Sequence, residues 1–220
     1  SSATPVACGR AIGSSAAPGN AAPPSNRRLD SDQPRPGLSF HPQMCASGKR
    51  VYVVWVDSRG ETPGAAWHVY FNRSLDAGHT WLDSDIQLDH NQTEPYSSHQ
   101  VRIACEGDAV YVVWTDNRRD RWDIYFNRSL DAGATWFSED VDLSDMKESN
   151  GESSTPQIAC VGSAVHVVWS NWRNGFSDIY YRHSEDAGAT WHPERRLDSD
   201  GGGQEYSWNP KMCARDLQVG

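Results

Sequence analysis

Three aspartates recur at one fixed spacing and are the first candidates for chemistry. Asp76, Asp131 and Asp186 stand 55 residues apart, inside the segments SLDAGHTW, SLDAGATW and SEDAGATW. A carboxylate can act as a general acid or base, or as a metal ligand. A catalytic site is normally built once, whereas this carboxylate recurs in each of three units. We therefore interpret the three aspartates as structural rather than catalytic.

The residues around each aspartate are those of a tight turn. The carboxylate can accept hydrogen bonds from backbone N–H groups just downstream, and the glycine two positions later can adopt a positive φ. The Thr-Trp pair returns the chain to a strand, with the indole as an apolar anchor. The pattern predicts one stapled hairpin per unit, formed by Ser74, Asp76, Gly78, Thr80 and Trp81, by Ser129, Asp131, Gly133, Thr135 and Trp136, and by Ser184, Asp186, Gly188, Thr190 and Trp191.

The sequence between the turns predicts short strands. Each unit contains apolar runs rich in Val, Ile, Tyr and Trp, separated by Gly, Asn, Asp and Ser, with no helical period. The fixed period and four antiparallel strands per unit, named A to D, predict an all-β fold, a β-propeller of four-stranded blades. Strand B is apolar on consecutive residues, so both of its faces should be buried between blades. In the third unit strands A to D are expected at 156–161, 164–170, 177–184 and 191–197.

The repeated pattern S-x-D-x-G-x-T-W resembles the Asp-box, or bacterial neuraminidase repeat, of sialidase-like β-propellers. The resemblance covers residues 27–220 and implies a propeller whose Asp-boxes lie on the face opposite the ligand site. Sialidases also carry an F-R-I-P motif, and the nearest text, Phe40-His41-Pro42-Gln43, lacks the arginine. The resemblance therefore implies the fold without implying sialidase activity, and we assign no catalytic residue.

The repeat also sets the expected domain organisation. An Ala, Ser, Gly and Pro-rich arm, predicted to extend against a propeller flank or a partner subunit, precedes the propeller. The chain then begins and ends inside blades, which favours a fragment of a longer product, with assembly across chains as the alternative. The expected segments are the arm at 1–26, the propeller at 27–220, blades at about 39–90, 97–145 and 153–200, and the start of a further blade at 207–220.

The loops between strands B and C, together with the D–A connections, should form the rim opposite the Asp-boxes. Arg59, Arg118 and Arg173 occupy matching loop positions, so we expect them to make a repeated hydrogen bond within or between blades. Other rim residues vary between units, which is where specificity for a sugar ring or a protein partner would lie. These candidate ligand-binding or partner-binding residues are Arg119, Arg121, Trp122, Trp172, Phe176, Tyr96, Tyr206 and Trp208.

The five cysteines follow no zinc, redox or haem motif. We interpret them first as small buried residues of the inner strands. The alternative is one disulfide between neighbouring blades, either Cys45 with Cys105 or Cys160 with Cys213. Both pairs cannot form, because Cys45 and Cys213 sit one strand position away from the other class and face the opposite way. Rim aspartates occur one or two per blade, so no metal site and no cofactor is predicted.

Composition limits the partners and the compartment. The formal net charge of −9 argues against nucleic acid, and no apolar run approaches the ~20 residues of a membrane span. The arm composition favours an extracytoplasmic protein, periplasmic or secreted, with membrane association through a partner or a lipid anchor as an alternative. The sequence predicts a non-catalytic binding or scaffold module that contacts protein partners through the arm and the rim. The alternative is a carbohydrate-binding, lectin-like or glycosidase-related protein.

Overall fold

The computed structural model describes residues 28–30, 38–59, 66–90, 96–144, 151–199 and 205–214. The described residues are all-β and form three four-stranded antiparallel sheets, without a helix. No helix in these ranges could therefore cross a membrane. The arm predicted at 1–26 lies outside the described residues.

Each sheet is a meander in which consecutive strands pair with one another. The first sheet consists of β1 (Ser39–Ser47), β2 (Arg50–Asp57), β3 (His68–Ser74) and β4 (Ile86–Gln87). The second consists of β5 (Ser98–Glu106), β6 (Ala109–Asp116), β7 (Asp123–Ser129) and β8 (Val141–Asp142). The third consists of β9 (Ser153–Val161), β10 (Ala164–Asn171), β11 (Asp178–Ser184) and β12 (Arg195–Arg196).

The predicted length of the outer strand D was wrong. β12 has only two residues instead of the seven expected at 191–197, and pairs only with Tyr180 and Tyr181. Pro193 lacks an N–H and cannot donate to a strand ladder. In the second sheet an asparagine side chain takes the place of a backbone partner, since Asn127 accepts from the Phe137 N–H at 3.1 Å. In the first sheet Asn72 shares the Leu82 N–H with the Arg73 carbonyl. β9 also begins at residue 153, three residues earlier than predicted.

The middle strand of the second sheet is buried on both faces, as its consecutive apolar residues predicted, whereas β2 and β10 keep partly exposed positions. Val110–Trp114 of β6 is inaccessible to solvent, because the second sheet packs between the other two. One apolar cluster joins the first two sheets and another joins the second and third. Burying a Val, Phe or Trp side chain in such a cluster stabilises the fold by about 1.5–3 kcal/mol, which makes the sheet-to-sheet contacts its main support.

The inner strands lie side by side, and a disulfide joins two of them. Cys45 of β1 is bonded to Cys105 of β5, with their Cα atoms 6.0 Å apart. The interpretation of these two residues as simple packing residues was therefore wrong, and the first of the two alternative pairings forms. Cys160 and Cys213 are free thiols, and burial raises the pKa of the Cys160 thiol to about 12.

The segment 205–214 carries no strand, although the sequence predicted that a further strand A starts there. The described residues supply no adjacent strand with which it could form a ladder. Its backbone nevertheless follows the repeat. The Ser207 N–H donates to the Ser177 carbonyl at 2.7 Å, as the Ser153 N–H donates to the Trp122 carbonyl at 2.7 Å in the preceding unit.

Candidate functional site

The three repeated aspartates close turns. In the second sheet, Asp131 accepts hydrogen bonds from the Thr135 N–H at 2.8 Å, the Thr135 hydroxyl at 2.7 Å and the Ser129 hydroxyl at 2.7 Å. The same bonds recur at Asp76 and Asp186. These donors hold the pKa of each carboxyl well below its usual range, with the Thr135 hydroxyl the largest cause at Asp131. Each carboxylate is thus ionised near pH 7 and accepts its hydrogen bonds from residues of its own turn.

The turns also fasten one sheet to the next. The Trp136 ring packs edge-on against Phe71 of the preceding sheet, with centroids 4.9 Å apart. Arg73 of that sheet donates to the Ala132 carbonyl in the turn. The third sheet repeats the contact, because Trp191 packs against Phe126 with centroids 5.0 Å apart. Each of these two aspartate turns therefore connects two strands of its own sheet and also packs against the preceding sheet.

The matching rim arginines are held inside their own sheets. Arg118 donates to Asp116 and forms an ion pair with Asp140, both at 2.8 Å, and its guanidinium lies 4.0 Å from the centroid of the Tyr125 ring. Arg59 and Arg173 make equivalent ion pairs and lie over the matching tyrosines. The expectation of a repeated hydrogen bond at these three arginines is confirmed.

A row of aromatic side chains runs along the same rim, across the starts of the inner strands. Phe40 contacts Trp67 at 5.3 Å between centroids, Trp67 contacts His99 at 6.0 Å, and His99 contacts Trp122 at 5.2 Å. We call these four residues the aromatic row. Phe40 and His99 occupy the same place in their sheets, since Phe40 pairs with Val56 and His99 with Thr115.

The third sheet interrupts this row and thereby opens a pocket. Ser154 stands at the position of Phe40 and His99, as its pairing with Ser170 shows. The small side chain leaves a cavity of about 350 Å³, which we call the rim pocket. Its lining residues are His41, His99, Gln100, Thr115, Trp122, Glu152, Ser153, Ser154 and Trp172.

A bulge at the start of each inner strand shapes this rim. His41, Gln100 and Thr155 have φ values of 53°, 52° and 51°, in the left-handed region that non-glycine residues seldom adopt. The strand register shifts at these places in all three sheets. Bulges re-aim side chains and are frequent beside functional sites. Here the Gln100 carbonyl oxygen of the side chain accepts from the Thr155 N–H at 2.6 Å, which ties the two bulges that flank the pocket.

The pocket combines aromatic walls with few charges. Burial, and secondarily His41, lowers the pKa of His99, so its imidazole is neutral near pH 7. Trp172 is 40% exposed, and its backbone N–H donates to the backbone carbonyl of Glu152 at 3.0 Å. Glu152 supplies the single carboxylate among the described lining residues. Aromatic faces beside amide, hydroxyl and carboxylate groups can stack on and hydrogen-bond a polar ring.

The structure brings two of the eight predicted binding residues into the pocket, Trp122 and Trp172. Two more lie beside it, because the Tyr206 ring is 5.5 Å from Trp172 and 5.0 Å from Phe176. The remaining four lie elsewhere: Arg119 pairs with Asp142, Arg121 pairs with Asp123, the Tyr96 hydroxyl donates to Asp120, and Trp208 is 68% exposed.

Sequence reasoning missed His41, His99, Gln100 and Glu152 as lining residues. The sequence does contain an indication of the pocket: at one matched position of the repeat, Phe40 and His99 are aromatic, whereas Ser154 is small. This difference was overlooked because the predicted strand A of the third unit began at residue 156, three residues too late, and so left Ser154 out. Only with the correct strand start does the comparison of units match Ser154 with Phe40 and His99.

No family model and no curated protein matches the chain. Solved structures do resemble it. A Trypanosoma rangeli sialidase has a TM-score of 0.51 and 13% identity over 70% of this chain and 29% of that one. A putative glycoside hydrolase from Parabacteroides distasonis has a TM-score of 0.50 and 12% identity over 76% of this chain and 52% of that one. A GH130-family structure described as targeting β-1,2-mannosidic linkages in Candida mannan has a TM-score of 0.50 and 14% identity over 80% and 53%.

At these identities the likeness concerns the fold alone. The similar structures are β-propeller glycosidases, so the three sheets correspond to blades of that architecture. The chain spans between 29% and 53% of the length of these three structures. The blade architecture predicted from the repeats is supported, and closure into a ring remains a prediction.

Proposed function

We propose that the chain is an Asp-box propeller segment that binds a saccharide in the rim pocket. The observation that carries this proposal is the interruption of the aromatic row at Ser154, which leaves Trp122 and Trp172 lining an open space of about 350 Å³. Carbohydrate rings present apolar C–H faces to aromatic side chains and hydroxyls to polar ones. Gln100, Thr115 and Glu152 supply such polar groups around the same space.

The charges favour a neutral or amino sugar over a sugar acid. Glu152 repels an anion, and the histidine that packs on Trp122 is neutral near pH 7. The arginines of the neighbouring loops are occupied by carboxylates, Arg118 with Asp116 and Asp140, and Arg119 with Asp142 at 2.6 Å. A site for a sialic acid would instead direct arginine toward the ligand carboxylate.

We propose binding without hydrolysis. Glycoside hydrolysis generally uses two carboxyl groups on either side of the scissile bond, and the described lining of the pocket contributes one, Glu152. The repeated aspartates cannot supply the second one, because they lie in turns at the opposite ends of the strands. An extracytoplasmic location fits the Cys45–Cys105 disulfide, since disulfides persist in oxidising compartments.

A protein-binding scaffold is the second candidate. It is favoured by two exposed aromatic residues, Tyr206 beside the pocket at 58% and Trp208 outside it at 68%. Aromatic anchors of this kind dominate protein interfaces. In that case the rim would contact a subunit rather than a glycan.

A glycan array of neutral, amino and sialylated oligosaccharides separates the two candidates. We expect binding to neutral or amino sugars that falls at least about tenfold, or about 1.4 kcal/mol, in Trp122→Ala and in Trp172→Ala. Trp208→Ala is the matched control, because that exposed tryptophan does not line the pocket. A preference for sialylated glycans, or glycan turnover that Glu152→Gln abolishes, would contradict this account. A blank array together with a stable protein complex would favour the scaffold.

A further inference from the structure

The third sheet departs from the repeat at three neighbouring positions near its Asp-box turn. The first two sheets carry arginine, leucine and a large apolar residue at these positions, and the third carries two histidines and a glutamate. The matching sets are Arg73, Leu75 and Leu82 in the first sheet, Arg128, Leu130 and Phe137 in the second, and His183, Glu185 and His192 in the third. We call the last set the histidine cluster.

The three side chains of the histidine cluster converge. The imidazole rings of His183 and His192 stack with centroids 4.2 Å apart and planes 8° from parallel. The Glu185 carboxylate lies 3.8 Å from Nε2 of His192. One ligand atom from each residue lies within 4.8 Å of those of the other two. Small side-chain rotations would therefore bring all three onto one ion.

The backbone holds the two histidines in place. The His192 N–H donates to the His183 carbonyl at 2.9 Å, and Arg182 donates to the His192 carbonyl at 2.9 Å. Behind them, His166 is hydrogen-bonded to the Tyr181 hydroxyl at 2.8 Å and its ring lies 6.2 Å from His183. In the second sheet the same two positions hold a contact that needs no ligand, with the Arg128 guanidinium 4.5 Å from the Phe137 ring centroid.

The cluster is open to solvent. The side chains of Glu185 and His192 are 75% and 50% exposed. The positions that match Glu185 stay half exposed even where a following sheet packs alongside, since Leu75 and Leu130 are 50% and 51% exposed. A further blade beyond the third sheet would therefore leave the Glu185 carboxylate accessible to an ion.

We propose that His183, Glu185 and His192 bind a divalent transition-metal ion of the zinc class. Imidazole nitrogen and carboxylate oxygen are ordinary zinc ligands, and three protein ligands leave a position for water or for a group from another molecule. Calcium and magnesium prefer sets of oxygen ligands and should bind poorly here. The site lies at the Asp-box end of the third sheet, so it is independent of the saccharide pocket.

Isothermal titration of the 220-residue chain with zinc chloride and with calcium chloride tests this proposal. We expect one zinc ion per chain and no comparable binding of calcium. Glu185→Leu and His192→Phe should each weaken zinc binding by at least about tenfold. Removing a residue that only hydrogen-bonds to a metal ligand already costs about that much affinity, and these two residues are ligands themselves. Both variants introduce residues found at the matching positions of other sheets, so they should fold.

His79→Ala is the matched control. His79 belongs to the turn of the first sheet, at the position where the other two turns carry Ala134 and Ala189. His79→Ala should leave zinc binding unchanged. In the wild-type chain, NMR should show the imidazole resonances of His183 and His192 shifting when zinc is added. The proposal is overturned if zinc does not bind, if calcium binds equally well, or if Glu185→Leu and His192→Phe bind zinc as the wild type does.

Discussion

At the scale of single residues, the glycines of the aspartate turns differ in what surrounds them. Gly78 and Gly133 both have positive φ, +89° and +81°. A Cβ on Gly133 would lie 2.5 Å from the buried Phe71 ring of the preceding sheet, whereas a Cβ on Gly78 would meet nothing closer than Trp81 at 3.9 Å. Among the described residues, Gly133 packs against the preceding sheet, whereas Gly78 has no such neighbour.

Gly133→Ala should therefore be more destabilising than Gly78→Ala. Both variants should lose roughly 1–2 kcal/mol of the free energy of unfolding to left-handed strain. Gly133→Ala should lose about 1–3 kcal/mol more from overpacking against Phe71. Urea denaturation of both variants measures the difference. Equal losses would show that the turn does not pack tightly against the preceding sheet.

The same turns predict a pH dependence. The hydrogen bonds that Asp131 accepts hold its folded pKa below the value of about 3.9 expected in an unfolded chain. The stability that this carboxylate contributes is therefore fully present above about pH 5 and is lost as the pH falls below about 4. The difference in unfolding free energy between the wild type and Asp131→Asn should be constant from about pH 5 to 8 and should shrink in acid. Urea denaturation at a series of pH values measures this difference. A difference that grew in acid would contradict a stabilising role for the ionised Asp131 carboxylate.

At the scale of elements, strands and turns were predictable to different degrees. The buried middle strands were evident because their apolar residues are consecutive, as in Val110–Trp114. The turns were evident because aspartate and glycine recur with the same spacing. The short outer strands were not, since a side chain such as Asn127 takes the place of a backbone partner and no residue pattern indicates this. The bulge at Gln100 was also invisible, because its left-handed φ occurs in a residue that rarely adopts it.

The disulfide between β1 and β5 gives a prediction at this scale. It joins cysteines 60 residues apart in sequence, and constraining an unfolded chain over such a loop typically stabilises a protein by about 2–4 kcal/mol. Reductant should lower the melting temperature of the wild type and of Cys160→Ser. The double variant Cys45→Ser, Cys105→Ser should be insensitive to reductant. If the wild type is equally insensitive, the bond contributes nothing to stability.

At the scale of the whole molecule, the two ends of the strands have different roles. One end carries the aspartate turns, which repeat in every sheet and join sheet to sheet. The other end carries the aromatic row, which is interrupted at Ser154. The sequence predicted this division and named Trp122 and Trp172. It could not predict the pocket, which arises from contacts between inner strands of different sheets.

We propose that binding takes place where the repeat is interrupted, at the rim pocket, and not where it recurs, at the aspartate turns. Ser154→Phe is the decisive variant, because phenylalanine stands at the matching position, Phe40, and should fill the rim pocket while removing only the Ser154 hydroxyl from its lining. The measurement is calorimetric titration with the glycan that binds most tightly on the array. We predict that Ser154→Phe loses binding with unchanged stability, while Asp131→Asn loses stability and still binds. Wild-type affinity in Ser154→Phe, or loss of binding in folded Asp131→Asn, would contradict the account.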